Sequence, residues 1–255
     1  MGTQTVARSA LVNTLLEVKG LAKMFGGLVA VDNVSFHIEA GETLGMIGPN
    51  GAGKTTLFNL LTNELKQDAG EILLNGTEVS NLPTQERVKQ GLARTYQVPR
   101  PFSGLTVAEN IRVSMMPDNL WRMLAHAYDC GREHEIALSV GFREADIGKY
   151  PGELAMGDLR KLELARTLAT GSKVLLLDEV FAGLTYGEIA QISKLLLEHK
   201  NNGMTFIIVS HDLRALAPLV DRVLVLCFGR TIAEGTFDEV IQQKAVQDAY
   251  LGYKQ

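Results

Sequence analysis

The chain has little of what would place it outside the cytosol or within a bilayer. Its only cysteines are Cys130 and Cys227. Neither sits in a CxxC pair and a long stretch of chain separates them, so they are expected to be reduced, packed thiols rather than a disulfide or a metal site. The five histidines show no metal-ligand spacing. No apolar run approaches the roughly 18 residues of a membrane span. The opening stretch, MGTQTVARSALVNTLLEV, lacks the pattern of a signal peptide, and Val6 stands where a myristoylation signal has Ser or Thr. A long basic block is also missing. Lys and Arg total 25 against 29 Asp and Glu, for a net charge of -4. A nucleic-acid duplex is therefore not the favoured partner. Internal repeats and low-complexity tracts are absent too. The chain is expected to be soluble by itself; if it works at a membrane, something else does the spanning.

What is present is a sequence of 255 residues, 46% hydrophobic. That is enough for a full core. Residues 1–14 read as a flexible arm and 15–255 as a single domain. Strand patterns fill Leu15 to Glu39, where Val34, Phe36 and Ile38 alternate with Ser35 and His37. GETLGMIG is an apolar strand ending in glycine, and TTLFNLLTNELK puts Leu57, Leu60, Leu61 and Leu65 on one helical face. Asn75-Gly76 predicts a tight hairpin. From about 99 to 169 the alternation stops. Helical segments (VAENIRVSMM, NLWRMLAHAY, HEIALSVG, DLRKLELARTLAT) predict a helical subdomain inserted between strands. From Lys173 the strand–helix–strand rhythm returns, and RVLVLCFGRTIAEG reads as a final hairpin. The alternation predicts an α/β fold with a largely parallel core sheet.

Residues 48–55, GPNGAGKT, match G-x-x-x-x-G-K-[ST] between an apolar strand and an amphipathic helix. Gly48, Gly51 and Gly53 let the loop fold back so that its N–H groups converge on phosphate oxygens, with the helix N-terminus behind them. Lys54 is expected to reach the β- and γ-phosphates, and Thr55 to place its hydroxyl on Mg²⁺. The nucleotide-contacting stretch is Gly48, Pro49, Asn50, Gly51, Ala52, Gly53, Lys54, Thr55 and Thr56. A second strand, VLLLDEV, ends in adjacent acids, Asp178 and Glu179. Adjacent carboxylates closing an oily strand call for a cation or for open solvent. Beside the phosphate loop, Asp178 is expected to support Mg²⁺. Glu179 would point at the γ-phosphate and serve the attacking water.

Taken together, the ordered motifs from residue 15 to about 240 resemble the ATP-binding cassette (ABC) ATPase subunits of transporters. In that resemblance GPNGAGKTT is the Walker A motif and LLLDE the Walker B motif with its catalytic glutamate. Gln97 falls at the Q-loop glutamine that touches Mg²⁺ and the attacking water. His211 falls at the switch histidine, and Phe25 at the aromatic that stacks on adenine. Leu154, Ala155, Met156, Gly157 and Asp158 stand where the family has LSGGQ, at the start of a helix expected over 158–170. The resemblance implies a P-loop NTPase (RecA-like) fold with an antiparallel β-subdomain. It implies Glu179, His211 and Gln97 as catalytic residues, Thr55, Gln97 and Asp178 at the metal, and MgATP trapped between two head-to-tail cassettes. The sequence departs from the family at Ala155, Met156, Asp158, Val180 and Thr185, which bears on closure and turnover. A narrower resemblance, in KMFGGLVAVDNVSF, AGLT and DAYLGYKQ, is to subunits of branched-chain or hydrophobic amino acid importers, whose relatives also import urea and amides. Implied partners are a second ATPase subunit (identical or a paralogue), membrane permease subunits and, indirectly, an extracytoplasmic solute-binding protein; nucleic acid is not among them. The implied location is cytoplasmic, peripheral on the inner face of the cell membrane. Phe102 and Leu105 are candidate groove residues for a permease helix. The alternative reading is a regulatory or non-transport ABC protein that binds ATP and hydrolyses it weakly.

Overall fold

The computed structural model describes residues 14–96, 98–116 and 131–251. Gln97, Cys130 and the segment NLWRMLAHAY lie outside the described residues.

Five apolar strands make the centre. They are β3 (Thr43–Ile47), β6 (Leu92–Arg94), β7 (Val174–Asp178), β8 (Thr205–Val209) and β9 (Arg222–Cys227). In β7 and β8 every residue is buried. Period-two geometry sends alternate side chains to opposite faces. Leu175 and Leu177 enter one core, while Val174 and Leu176 enter the other. Phe206 and Ile208 divide from Ile207 and Val209 in the same way. Burial on both faces explains why these strands read as unbroken hydrophobic runs.

The sheet order is β10-β9-β3-β8-β7-β6. All pairs are parallel except β9 with the edge strand β10 (Arg230–Gly235). A second sheet, β2-β1-β4-β5, is antiparallel. It comprises β1 (Thr14–Phe25), β2 (Leu28–Glu39), β4 (Ala69–Leu74) and β5 (Thr77–Glu78). Its inner face shares a core with α1 (Lys54–Leu61) and one face of the parallel sheet. Asn75 and Gly76 both take positive φ, 49° and 73°, as the hairpin requires.

The helix α1 is shorter than its leucine pattern predicts. The hydroxyl of Thr62 donates to the carbonyl of Phe58, and Asn63 turns left-handed at φ 59°, so Leu65 lies beyond the helix. The other core is covered by α3 (Val107–Met115), α4 (Arg132–Ser139), α5 (Glu144–Ile147), α6 (Met156–Ala169) and α7 (Tyr186–Asn201). The remaining helices are α2 (Thr84–Gln90), α8 (Leu213–Leu216), α9 (Phe237–Ile241) and α10 (Lys244–Leu251). Helix α6 begins two residues earlier than expected, with Ala155 as its N-cap. Met156, Gly157 and Asp158 therefore form its first turn rather than a preceding loop.

Candidate functional site

Register brings the chemistry to one edge. Met46 of β3 pairs with Val209 of β8, and Val209 pairs with Asp178 of β7. The residues that follow these strands therefore emerge side by side at their carboxyl ends, where open α/β sheets bind ligands. They are Gly48 with its loop, Ser210 with His211, and Glu179.

The loop geometry excludes side chains at two points. Gly48 has φ 151°, and a Cβ there would lie 2.1 Å from the Leu226 carbonyl oxygen. Gly53 has φ 102°, and its Cβ would lie 2.4 Å from the Ala30 oxygen. The Lys54 ammonium is folded onto the loop, donating to the carbonyls of Gly48 at 2.7 Å and Pro49 at 3.1 Å. Burial lowers its pKa, opposed by the charges of Glu179 and Asp178.

A cleft of about 570 Å³ opens in front of this loop. Its walls include Phe25, the stretch Asn50 to Thr56, Glu179, His211 and Phe228. The structure thus gathers the phosphate loop, one acid, the histidine and the predicted aromatic at one cavity. Glu179 holds φ 50°, outside the comfortable range of a non-glycine residue. Its Oε1 lies 3.2 Å from Nε2 of His211, and the His211 backbone N–H donates to Oε2 at 3.3 Å. Burial raises its carboxyl pKa, and the neighbouring Asp178 adds to that rise, while His211 and Lys54 oppose it.

Asp178 is placed differently. It is buried, does not line the cleft, and accepts a 2.6 Å hydrogen bond at Oδ2 from Nη2 of Arg94. None of Leu154, Ala155, Met156, Gly157 or Asp158 lines the cleft either. The Gly157 N–H donates to Oε1 of Glu188 at 3.1 Å, and Asp158 pairs with Lys161 at 3.0 Å.

Sequence reading missed Phe228, which faces the cleft with 81% of its surface exposed. Its φ is 48°, in the turn between β9 and β10. A signal was available: an aromatic residue before glycine, where a two-residue hairpin favours Asn, runs against turn chemistry. Phe102, a candidate groove residue, is exposed. A cavity of about 270 Å³ beside the site is lined by Arg87, Arg94, Tyr96, Arg100, Glu163 and Arg166 among others, and not by Phe102 or Leu105. Asn110 holds the 102–106 turn by donating to the carbonyls of Phe102, Leu105 and Thr106. Arg166 stacks on Phe102 at 4.9 Å.

Among the described residues no cluster of three or more His, Cys, Asp or Glu could hold a metal. The donors present are the Asp178 carboxylate at the end of β7 and the Thr55 hydroxyl at the cleft, a set that suits Mg²⁺, which takes one or two carboxylates together with substrate phosphates and water. A strand, a loop that excludes side chains at Gly48 and Gly53, a buried lysine and a helix N-terminus define a P-loop nucleotide site.

The family model described as ABC transporter matches residues 31–182. A second, described as branched-chain amino acid ATP-binding cassette transporter, matches residues 230–254. The chain is 36% identical over 250 residues to the high-affinity branched-chain amino acid transport ATP-binding protein LivG of Escherichia coli K12, covering 93% of this chain and 98% of that one. It is 35% identical over 252 residues to BraF of Pseudomonas aeruginosa, which carries the same description, with the same coverage. A crystallised ATP-binding cassette of an ABC transporter, in its ADP conformation, superposes with a TM-score of 0.82 at 29% identity, covering 94% of this chain and 99% of that one. The chain belongs to the ABC transporter family and is one of its ATP-binding cassettes, an ATPase. No helix among the described residues is long and apolar enough to cross a membrane.

Proposed function

We propose that this chain hydrolyses MgATP as one of two cassettes that drive import of a small solute, branched-chain amino acids or close relatives, through separate permease subunits. The match of residues 230–254 to the branched-chain amino acid cassette family supports the substrate class. The clustering of Glu179, His211 and the phosphate loop in one cleft supports the chemistry.

In this reading the P-loop amides and Lys54 hold the β- and γ-phosphates. The ammonium exchanges the carbonyls of Gly48 and Pro49 for phosphate oxygens. Phe25 and Phe228 flank the base. Thr55 and Asp178 support the metal, with Gln97 at its edge. Bound Mg²⁺ supplies charge neutralisation on the bridging and terminal phosphate oxygens. Glu179 orients the attacking water and takes its proton as the water oxygen bonds to the γ-phosphorus and the bond to the β–γ bridging oxygen breaks. His211 holds both Glu179 and the γ-phosphate. Catalysis is mainly positioning and electrostatics. Residues 154–158 meet the nucleotide of the partner cassette, where the γ-phosphate takes the Gly157 N–H from Glu188. The Arg-lined cavity next to Tyr96 takes a permease helix, which places the chain on the inner face of the membrane; an extracytoplasmic solute-binding protein delivers the solute.

Two measurements test this. Purified protein should release phosphate from MgATP. Cells lacking the chain should lose high-affinity uptake of labelled leucine and regain it with the wild type but not with Glu179→Gln. Unimpaired uptake without the chain refutes the substrate reading.

A further inference from the structure

Arg94 closes strand β6, three residues before Gln97. Its side chain is 6% exposed and that of Asp178 is 4% exposed. The planar guanidinium forks: Nη2 donates to Oδ2 of Asp178 at 2.6 Å, and Nη1 donates to Oδ1 of Asn59 on α1 at 2.5 Å. Glu64 lies 3.5 Å from Nη1. The rings of Phe58 and Tyr96 lie 5.6 and 5.5 Å from the guanidinium carbon. Arg94 is therefore clamped by charge, hydrogen bonding and aromatic faces, and it clamps one oxygen of Asp178 in turn. The same residue lines the cavity that also contains Arg100 and Arg166.

We propose that Arg94 is a positioning residue for the metal site: by fixing Oδ2 of Asp178 it aims Oδ1 at the cation that accompanies the nucleotide. This rests on the reading of Asp178 as a metal-supporting residue. A carboxylate free to rotate would present either oxygen, or neither, in the right direction. Groups that orient a metal ligand typically contribute about 10–100-fold to metal affinity. A fork geometry matters here, because lysine keeps the charge but cannot bond Asn59 and Asp178 in one plane. A buried cation beside a metal site also repels the metal, so pure electrostatics would lower the Mg²⁺ midpoint on removal of Arg94, opposite in sign to loss of positioning.

The experiment reads binding of trinitrophenyl-ATP by fluorescence, first in EDTA and then during a Mg²⁺ titration, with thermal unfolding as a folding check. Wild type, Arg94→Met, Arg94→Lys and Asn59→Ala are compared. The expected result is an affinity in EDTA within about twofold of wild type for every folded variant. The Mg²⁺ midpoint should rise about tenfold or more in Arg94→Met, and by smaller steps in Arg94→Lys and Asn59→Ala. Loss of one partner of a buried pair is strongly destabilising. If Arg94→Met does not fold, the other two variants carry the test. Midpoints that stay put or fall in folded variants overturn the inference. A wild type that ignores Mg²⁺ overturns the reading of the metal site itself, and this inference with it.

Discussion

Glu179 is where the reading of the site is most exposed to test. Its carboxylate lies within reach of His211 and faces the cleft, so replacing it with an amide keeps the shape and removes the base. Positioned general bases contribute about 10²–10⁴-fold. Glu179→Gln should therefore lower steady-state phosphate release by that order while ATP affinity stays near wild type. A variant keeping more than about a tenth of the activity would remove Glu179 from the role of base. At Gly53 the argument is steric. Gly53→Ala would set a Cβ 2.4 Å from the backbone oxygen of Ala30, at a φ that L-residues avoid. Backbone cannot move aside as a long side chain can. This variant should lose nucleotide binding by equilibrium fluorescence, and it should melt below the wild type. Unaltered affinity would mean that the loop relaxes freely. Gly53 was legible in the sequence because a phosphate loop is local: eight consecutive residues specify it; Glu179 was legible from two adjacent acids closing an apolar strand. Arg94 was not, because its partner lies 84 residues away and only the β6–β7 pairing brings them together.

The same distinction between local and distant information runs through the elements. Alternation in β2 and the Asn75-Gly76 turn depend on neighbours along the chain, and both appear where the sequence puts them. The order of the parallel strands depends on pairings across more than a hundred residues, such as β3 with β8, so the strand–helix alternation made the α/β class legible but not that order. Helix starts illustrate a third case. Thr106 with Glu109, Thr185 with Glu188, and Thr236 with Glu239 each form a reciprocal capping box. Thr185 stands where the family resemblance expects Asp, and its hydroxyl does the capping of α7 that an aspartate would also do. Thr185→Ala should lower stability by about 1 kcal/mol in denaturant unfolding at neutral pH. Hydrogen bonds from Thr106, Thr185 and Thr236 hold the pKa values of Glu109, Glu188 and Glu239 below the ordinary carboxylate range. A depressed folded pKa gives stability that is complete above the unfolded value, near about 4.3, and is lost as pH falls through the folded value. The melting temperature should accordingly fall on acidification from about pH 5 downward. The gap between wild type and Thr185→Ala should narrow over the same range. A gap that widens in acid would contradict the assignment of Glu188 to that cap.

At the scale of the whole molecule, the phosphate loop and the start of α6 do not meet within one chain, since none of residues 154–158 lines the cleft. The Gly157 N–H is satisfied instead by Glu188 of the same chain. In the proposed function, a lone cassette holds half of each composite site. In a symmetric pair, each site would join the loop of one copy to the α6 N-terminus of the other. Blocking hydrolysis should trap that pair, so Glu179→Gln in MgATP should sediment as two copies of the 27.8 kDa chain, and as one copy without nucleotide. Complementation carries the argument further. Lys54→Ala spoils the loop side of a site, and Gly157→Asp puts a carboxylate where the partner's phosphate would sit. Each variant alone should be nearly inactive. Mixed pairs concentrate both defects in one site and leave the other whole. With random pairing, half of the pairs are mixed and each carries one good site of two, so an equimolar mixture should regain up to roughly a quarter of wild-type phosphate release. Wild-type protein that hydrolyses ATP alone, with variants whose mixture stays inactive, would mean that the two halves do not combine in trans. A wild type that turns over only when a paralogous cassette is added would make the functional pair a heteromer. The same two substitutions, divided between the two different chains, would then report which of them supplies the loop at the working site.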